Sequence, residues 1–166
     1  MPELVFYPHP ILTQRADAVK IFDATLQQAI EDLKSVMKKA NALGLSACHI
    51  GDMHRFIVID LPESHNHAMP LICINPVITY ASPEMQSQTE GSVSMPNVSE
   101  TVERPNEIHV TYQDMEGVQH MMKASGFLSA CIQHEIDQLD GIFWLQRLSR
   151  LKRERVLKKY VKISRI

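Results

Sequence analysis

Residues 134–138 read His-Glu-Ile-Asp-Gln, one substitution away from the His-Glu-x-x-His helix. In that helix imidazoles at i and i+4 share a face and grip a divalent metal, while the intervening Glu moves protons for metal-bound water. Gln138 stands where the second imidazole belongs, and an amide oxygen donates only weakly to zinc or iron. Taken alone, His134 and Glu135 fit a helix-surface pair better than a site. Two more segments change that weighting: Ala42-Leu43-Gly44-Leu45-Ser46-Ala47-Cys48-His49-Ile50-Gly51, which leads into an apolar run at Phe56 to Asp60, and Glu90-Gly91-Ser92-Val93-Ser94-Met95-Pro96.

In this order the three segments resemble peptide deformylase, whose motifs are Gly-x-Gly-Leu-Ala-Ala-x-Gln, Glu-Gly-Cys-x-Ser and Gln-His-Glu-x-Asp-His. The resemblance runs from about Pro8 to about Ser149 and takes in Ile74-Asn75-Pro76, Val102-Glu103-Arg104-Pro105, Gly126-Phe127-Leu128 and Cys131-Ile132-Gln133-His134-Glu135. It implies a hydrolase that removes the formyl group from the N-terminal methionine of new polypeptides. It further implies iron or zinc held by the Cys of the second motif and both His of the third, with Glu135 as general acid and base. By the same resemblance Leu45, Val93, Phe127 and Cys131 line the pocket for a methionine side chain.

The departures fall on the positions that do the chemistry. This chain offers Ser92, His134 and Gln138 at the three metal positions. A cysteine thiol, with a pKa near ~8.5 that falls beside a metal, becomes an anionic ligand, whereas a serine hydroxyl stays neutral. Zinc held by four good ligands in small peptide sites is worth roughly 10–16 kcal/mol, so two weak donors should cost several of those and orders of magnitude in affinity. The expected state is no metal, or a weakly bound divalent one. His49 replaces the glutamine that helps stabilise the oxyanion, Ala42 the first glycine of its motif, and Ser99 an arginine common after the second motif; Gly44, Leu45, Glu90, Gly91, Ser94, Glu135 and Asp137 still match. A pocket kept without its metal favours binding a peptide over cleaving it. The alternative is a working deformylase in which His134, with His49 or Gln138 and Ser92, holds metal loosely. For His49 an ordinary hydrogen bond in the cleft needs no new metal geometry and is the simpler expectation; Cys48 reads as an inert apolar thiol.

These residues need elements to hold them. Asp23 followed by Leu26, Ile30, Leu33, Met37 and Ala40 predicts a helix running to Gly44. Phe56 to Asp60, Leu71 to Ile74 and Ile108 to Tyr112 read as strands, with a turn at Asp114-Met115-Glu116-Gly117 before Val118 to Met122. From about Ser125 a second helix puts Phe127, Cys131, His134 and Gln138 on one face and Leu128, Ile132, Ile136 and Leu139 on an adjoining apolar one, ending at Gly141. The fold class is α+β, with mostly antiparallel sheets around the central helix that carries His134-Glu135. Pro62 to Ala68 reads as a surface loop, and the nine methionines as core fillers.

A chain of 166 residues with 45% hydrophobic side chains fits one domain, 1–166. The start lacks a basic, apolar leader and no apolar run approaches the ~20 residues that span a bilayer, so a cytoplasmic protein without membrane contact is expected. Three cysteines without a Cys-x-x-Cys pair argue for reduced thiols. Net charge is only −2, yet nine of the seventeen basic residues crowd into 147–166 beside one of the nineteen acids. That segment reads as a basic C-terminal helix whose Val156, Tyr160 and Ile163 pack inward. Its resemblance to the helix that docks deformylases on the ribosome makes ribosome, nascent chain or N-terminal peptide the expected partners.

Overall fold

Asp23 starts the first helix as its pattern requires. Its side chain accepts the Leu26 N–H at 3.1 Å, and α1 runs over Ala24–Lys39 with Leu26, Ile30, Leu33, Val36 and Met37 buried. The computed structural model describes residues 2–62 and 67–165. The helix stops before the expected Gly44 because Asn41 turns left-handed, φ 54°. The Asn41 N–H then bonds the Lys38 carbonyl and the Ala42 N–H the Met37 carbonyl, a Schellman closure in which asparagine takes the place glycine usually holds.

The strands among the described residues are β1 (Gly44–Ser46), β2 (Phe56–Ile59), β3 (Leu71–Ala81), β4 (Met85–Ser92), β5 (Met95–Pro105), β6 (Glu107–Gln113) and β7 (Gln119–Ser125). Five of them form an antiparallel sheet in the order β1-β2-β3-β6-β7, while β4 and β5 pair in a separate ribbon. β2 explains its own unbroken apolar run, since Phe56 and Val58 face the α1 core and Ile57 and Ile59 face the opposite one. β3 extends well past Ile74, and the β4–β5 ribbon was not legible as strand: Gln-Ser-Gln-Thr-Glu in β4 carries almost none of the β-branched or aromatic residues that mark strands.

The second helix, α2 (Gly126–Leu139), packs Ile132, Ile136 and Leu139 against Ile57, Ile59, Ile108 and Val110 of the sheet. Gly141 ends it as expected, at φ 77°, with the Gly141 N–H on the Gln138 carbonyl and the Ile142 N–H on that of Asp137. The last helix, α3 (Arg150–Ser164), begins later than residue 147, where Ser149 caps the Lys152 N–H; Arg147 belongs to a preceding 3-10 turn, Trp144–Arg147. Val156 is buried on Met95, Val98 and Trp144, with Tyr160 and Ile163 beside it. Of the methionines, Met37, Met95 and Met122 are in the core, but Met85 and Met121 are exposed, so core filling describes only part of them. Most of the Pro62 to Ala68 loop lies outside the described residues.

Candidate functional site

β1, the end of β4 with its turn, and α2 enclose a cleft of about 410 Å³. Gly44 lets β1 lie close: a Cβ there would sit 2.7 Å from Ile59 Cδ1 and 3.5 Å from Glu135 Cγ. Leu45, Val93, Phe127, Ala130 and Cys131 supply apolar wall, and Ser92, His49, His134 and Glu135 supply the polar part. The sequence therefore brings together, across ninety positions of chain, the residues it singled out, with one exception. Gln138 is not part of the cleft wall; its amide nitrogen donates to the Leu12 carbonyl at 2.7 Å.

A chain of charged hydrogen bonds backs the site. His134 Nδ1 lies 2.8 Å from Glu90 Oε1, and Glu90 receives two further bonds from Arg104, at 2.6 and 2.9 Å. The same guanidinium donates to Asp137 at 2.8 Å, and Arg147 donates to both Asp137 oxygens at 2.8 and 2.6 Å. Arg104 thus joins the ribbon to α2 from a position only 3% exposed. On the cleft floor His49 Nδ1 bonds Ser94 Oγ at 2.7 Å, the ordinary hydrogen bond expected of it. Its Nε2 stands 3.8 Å from Glu135 Oε1, and His134 Nε2 stands 3.7 Å from the same oxygen, both too far for a hydrogen bond. Among the described residues His49 Nε2 and Glu135 Oε2 are buried with no partner.

That environment sets the protonation of the floor. Burial pushes the Glu135 carboxyl up to about 7, and burial with the nearby His134 pushes the His49 imidazole down to about 3. Glu90, despite burial, is drawn down to about 2 by its bonds from His134 and Arg104. His134 is raised: burial opposes its charge, but the Glu90 hydrogen bond and the Glu135 and Glu90 carboxylates outweigh it. All three cysteines are free thiols pushed up to about 12, chiefly by burial, which leaves Cys48 and Cys131 without thiolate character at neutral pH.

Arg104 and Arg147 are supporting residues that motif spacing did not single out, and Ser94 is a matched motif position whose partner the spacing did not predict. Ser94 and Arg104 lie within matched segments, whereas Arg147 was hidden among the basic residues near the C-terminus. Ser92 Oγ accepts the Ser94 N–H at 3.1 Å across the turn from β4 to β5. Among the described residues no group of three or more His, Cys, Asp or Glu is arranged to hold a metal ion.

Comparison with known proteins fits this geometry. The family model described as polypeptide deformylase matches residues 1–154. A protein of Rhizobium meliloti (strain 1021) named peptide deformylase-like is 44% identical over 162 residues, 98% of this chain and 92% of its own length. A protein of Agrobacterium fabrum (strain C58 / ATCC 33970) named peptide deformylase is 36% identical, covering 98% of this chain and 95% of its own. The crystal structure of peptide deformylase from Ehrlichia chaffeensis in complex with actinonin superposes with a TM-score of 0.91 at 32% identity, over 100% of this chain and 99% of that one.

Proposed function

This chain belongs to the peptide deformylase family, and from that premise we propose that it has lost normal metal-dependent deformylation and uses its cleft to bind the N-terminal segment of a polypeptide. One observation carries the reading: of the three family metal positions, the cleft wall keeps a neutral hydroxyl and one imidazole, and the third side chain, Gln138, is not part of that wall. Gln138 donates to the Leu12 carbonyl, and Ser92 accepts the Ser94 N–H. Only His134 keeps a nitrogen facing the cleft, its Nδ1 held by Glu90 as a metal-bound imidazole's outer partner would hold it. A neutral hydroxyl, one imidazole and an amide outside the cleft wall do not fit the divalent metal of the family.

The apolar wall argues that binding outlasts the chemistry. Leu45, Val93, Phe127 and Cys131 line the cleft together, as a pocket for an unbranched apolar side chain requires. The exposed basic side of α3 supports the ribosome as the place where such a segment is met, and with it a cytoplasmic setting. No helix among the described residues is long and apolar enough to cross a membrane.

The test pairs elemental analysis of untagged, anaerobically purified protein with hydrolysis of a formyl-Met peptide, with and without added iron, nickel or zinc. The expected result is substoichiometric metal and no turnover. Stoichiometric metal with turnover overturns the reading and supports an active deformylase with a rearranged site. The S92C/Q138H double variant is expected to gain metal, since it returns a thiolate and a second imidazole to the ligand positions.

A further inference from the structure

Where β4 crosses the apolar cleft, its inward face is polar. Exposure alternates along the strand, and Gln86, Gln88, Glu90 and Ser92 are the residues turned in. Gln86 Nε2 donates to the Gly126 carbonyl at 2.8 Å, and Glu90 Oε1 lies 2.8 Å from His134 Nδ1. Two residues of strand and four of helix each advance about 6–7 Å, so Gln88 stands level with Ala130, midway between those two contacts. Alanine leaves room at that level, and Gln88, Phe127, Ala130 and Cys131 all line the cleft.

A relay of amides fixes which atom Gln88 offers. A backbone carbonyl only accepts, so the Gln86 atom on Gly126 is its nitrogen and Gln86 Oε1 is left as an acceptor. Gln88 meets that oxygen with Nε2 at 2.9 Å. Gln88 Oε1 then has no partner among the described residues, and it is not one of the closed-off unpartnered atoms, so it stays open to a ligand. The second N–H of the same amide is free as well. The cleft wall therefore carries one acceptor and one donor, anchored through Gln86 to the backbone of α2.

An apolar tip would strip water from that oxygen and put nothing in its place, which is costly. A carboxamide supplies both missing partners, an N–H for Oε1 and a carbonyl for the spare N–H. Glutamine carries it on an unbranched stem close to methionine's in length, whereas the methionine thioether donates nothing. A lysine ammonium would satisfy the oxygen but bring a charge among apolar walls and leave the spare N–H unmet.

We infer that Gln88 sets the specificity of the pocket and that the side chain it selects is glutamine, the stem lying between Leu45, Val93, Phe127 and Cys131 and the carboxamide on that of Gln88. The inference rests on the cleft being a peptide site and adds which side chain it takes.

Calorimetry on the wild-type chain in excess chelator, with N-formyl Gln-Ala-Ser, Met-Ala-Ser and Lys-Ala-Ser, separates the possibilities; the formyl cap keeps the end group constant and stops the glutamine from cyclising. The expected result is tighter binding of the glutamine peptide than of the methionine one by about tenfold or more, as a pair of hydrogen bonds made by one ligand and not the other gives. Gln88→Leu, whose fold is checked by its melting temperature, should bring those two peptides within about threefold or reverse their order. Equal or tighter wild-type binding of the methionine peptide overturns the glutamine assignment and leaves the peptide-binding reading standing. Tightest binding of the lysine peptide overturns it in favour of a cation on the same oxygen, and a glutamine preference that Gln88→Leu leaves intact overturns the role of Gln88. Binding of none of the three overturns both the assignment and the peptide site.

Discussion

Glu135 and His49 face each other across 3.8 Å and respond to pH in opposite senses. The folded Glu135 carboxyl is raised from 4.5 to about 7, so between those values the folded state holds a proton the unfolded chain has released, and its contribution to stability is lost as pH rises through that window. His49 is lowered from 6.5 to about 3, so the unfolded chain takes up the proton first and stability is lost as pH falls from 6.5. Between 4.5 and 6.5 the two slopes offset each other. His49→Gln should therefore leave a stability that declines with rising pH, and Glu135→Gln one that declines with falling pH, each by up to roughly 1.4 kcal/mol per pH unit. Urea denaturation of both variants from pH 4.5 to 6.5 checks the signs; parallel flat profiles would show that neither group is shifted. The residue types of this pair were visible in the sequence. Their mutual approach was not, because it depends on Gly44 admitting β1 beside Glu135 and on Ser94 holding the His49 ring.

At the scale of elements, the C-terminal ends of α2 and α1 are closed by residues of unequal legibility. Gly141 after the apolar stripe announced the helix end, and the structure adds why only glycine serves: φ is 77°, and a Cβ would lie 2.8 Å from the Thr13 carbonyl oxygen. Gly141→Ala should cost at least about 1–3 kcal/mol, measured by chemical denaturation. The matching closure of α1 at Asn41 was missed, since asparagine signals a left-handed turn less clearly than glycine and the apolar stripe continued to Ala40. Asn41→Gly is expected to be neutral or to stabilise by less than about 1 kcal/mol, which distinguishes a helix cap from a packing role. The β4–β5 ribbon was illegible because its polar strand gains order from Arg104, whose three carboxylate bonds reach Glu90 on β4 and Asp137 on α2. Arg104→Met should leave two buried carboxylates under-paired and cost about 3–5 kcal/mol, with Glu90 no longer fixing the His134 ring. A melting curve shifted by less than a degree or two would show that the ribbon is held by its apolar side alone.

Over the whole molecule, the lopsided charge of the sequence separates into a paired part and a free part. Arg147 is committed to Asp137, Arg155 to Glu100, Arg150 to Glu154, and Arg153 to the carbonyls of Leu145 and Leu148. Part of the basic excess is therefore structural, as acidic bodies with basic helices allow. Lys158, Lys159 and Lys162 are exposed on α3 and have no acidic partner among the described residues, while Val156 anchors the helix to the core. If that free side meets ribosomal RNA, the contact is a phosphate contact, strengthened by low salt and removed by charge reversal. K158E/K159E/K162E should then lower ribosome co-sedimentation by about tenfold or more near ~0.1 M salt while leaving the melting temperature close to wild type, because none of the three side chains is part of the core. Wild-type protein that fails to pellet with ribosomes at any salt would assign the lysines to solvation alone. It would also detach the peptide cleft from the nascent chain, since the two sites gain from each other only when one body binds both.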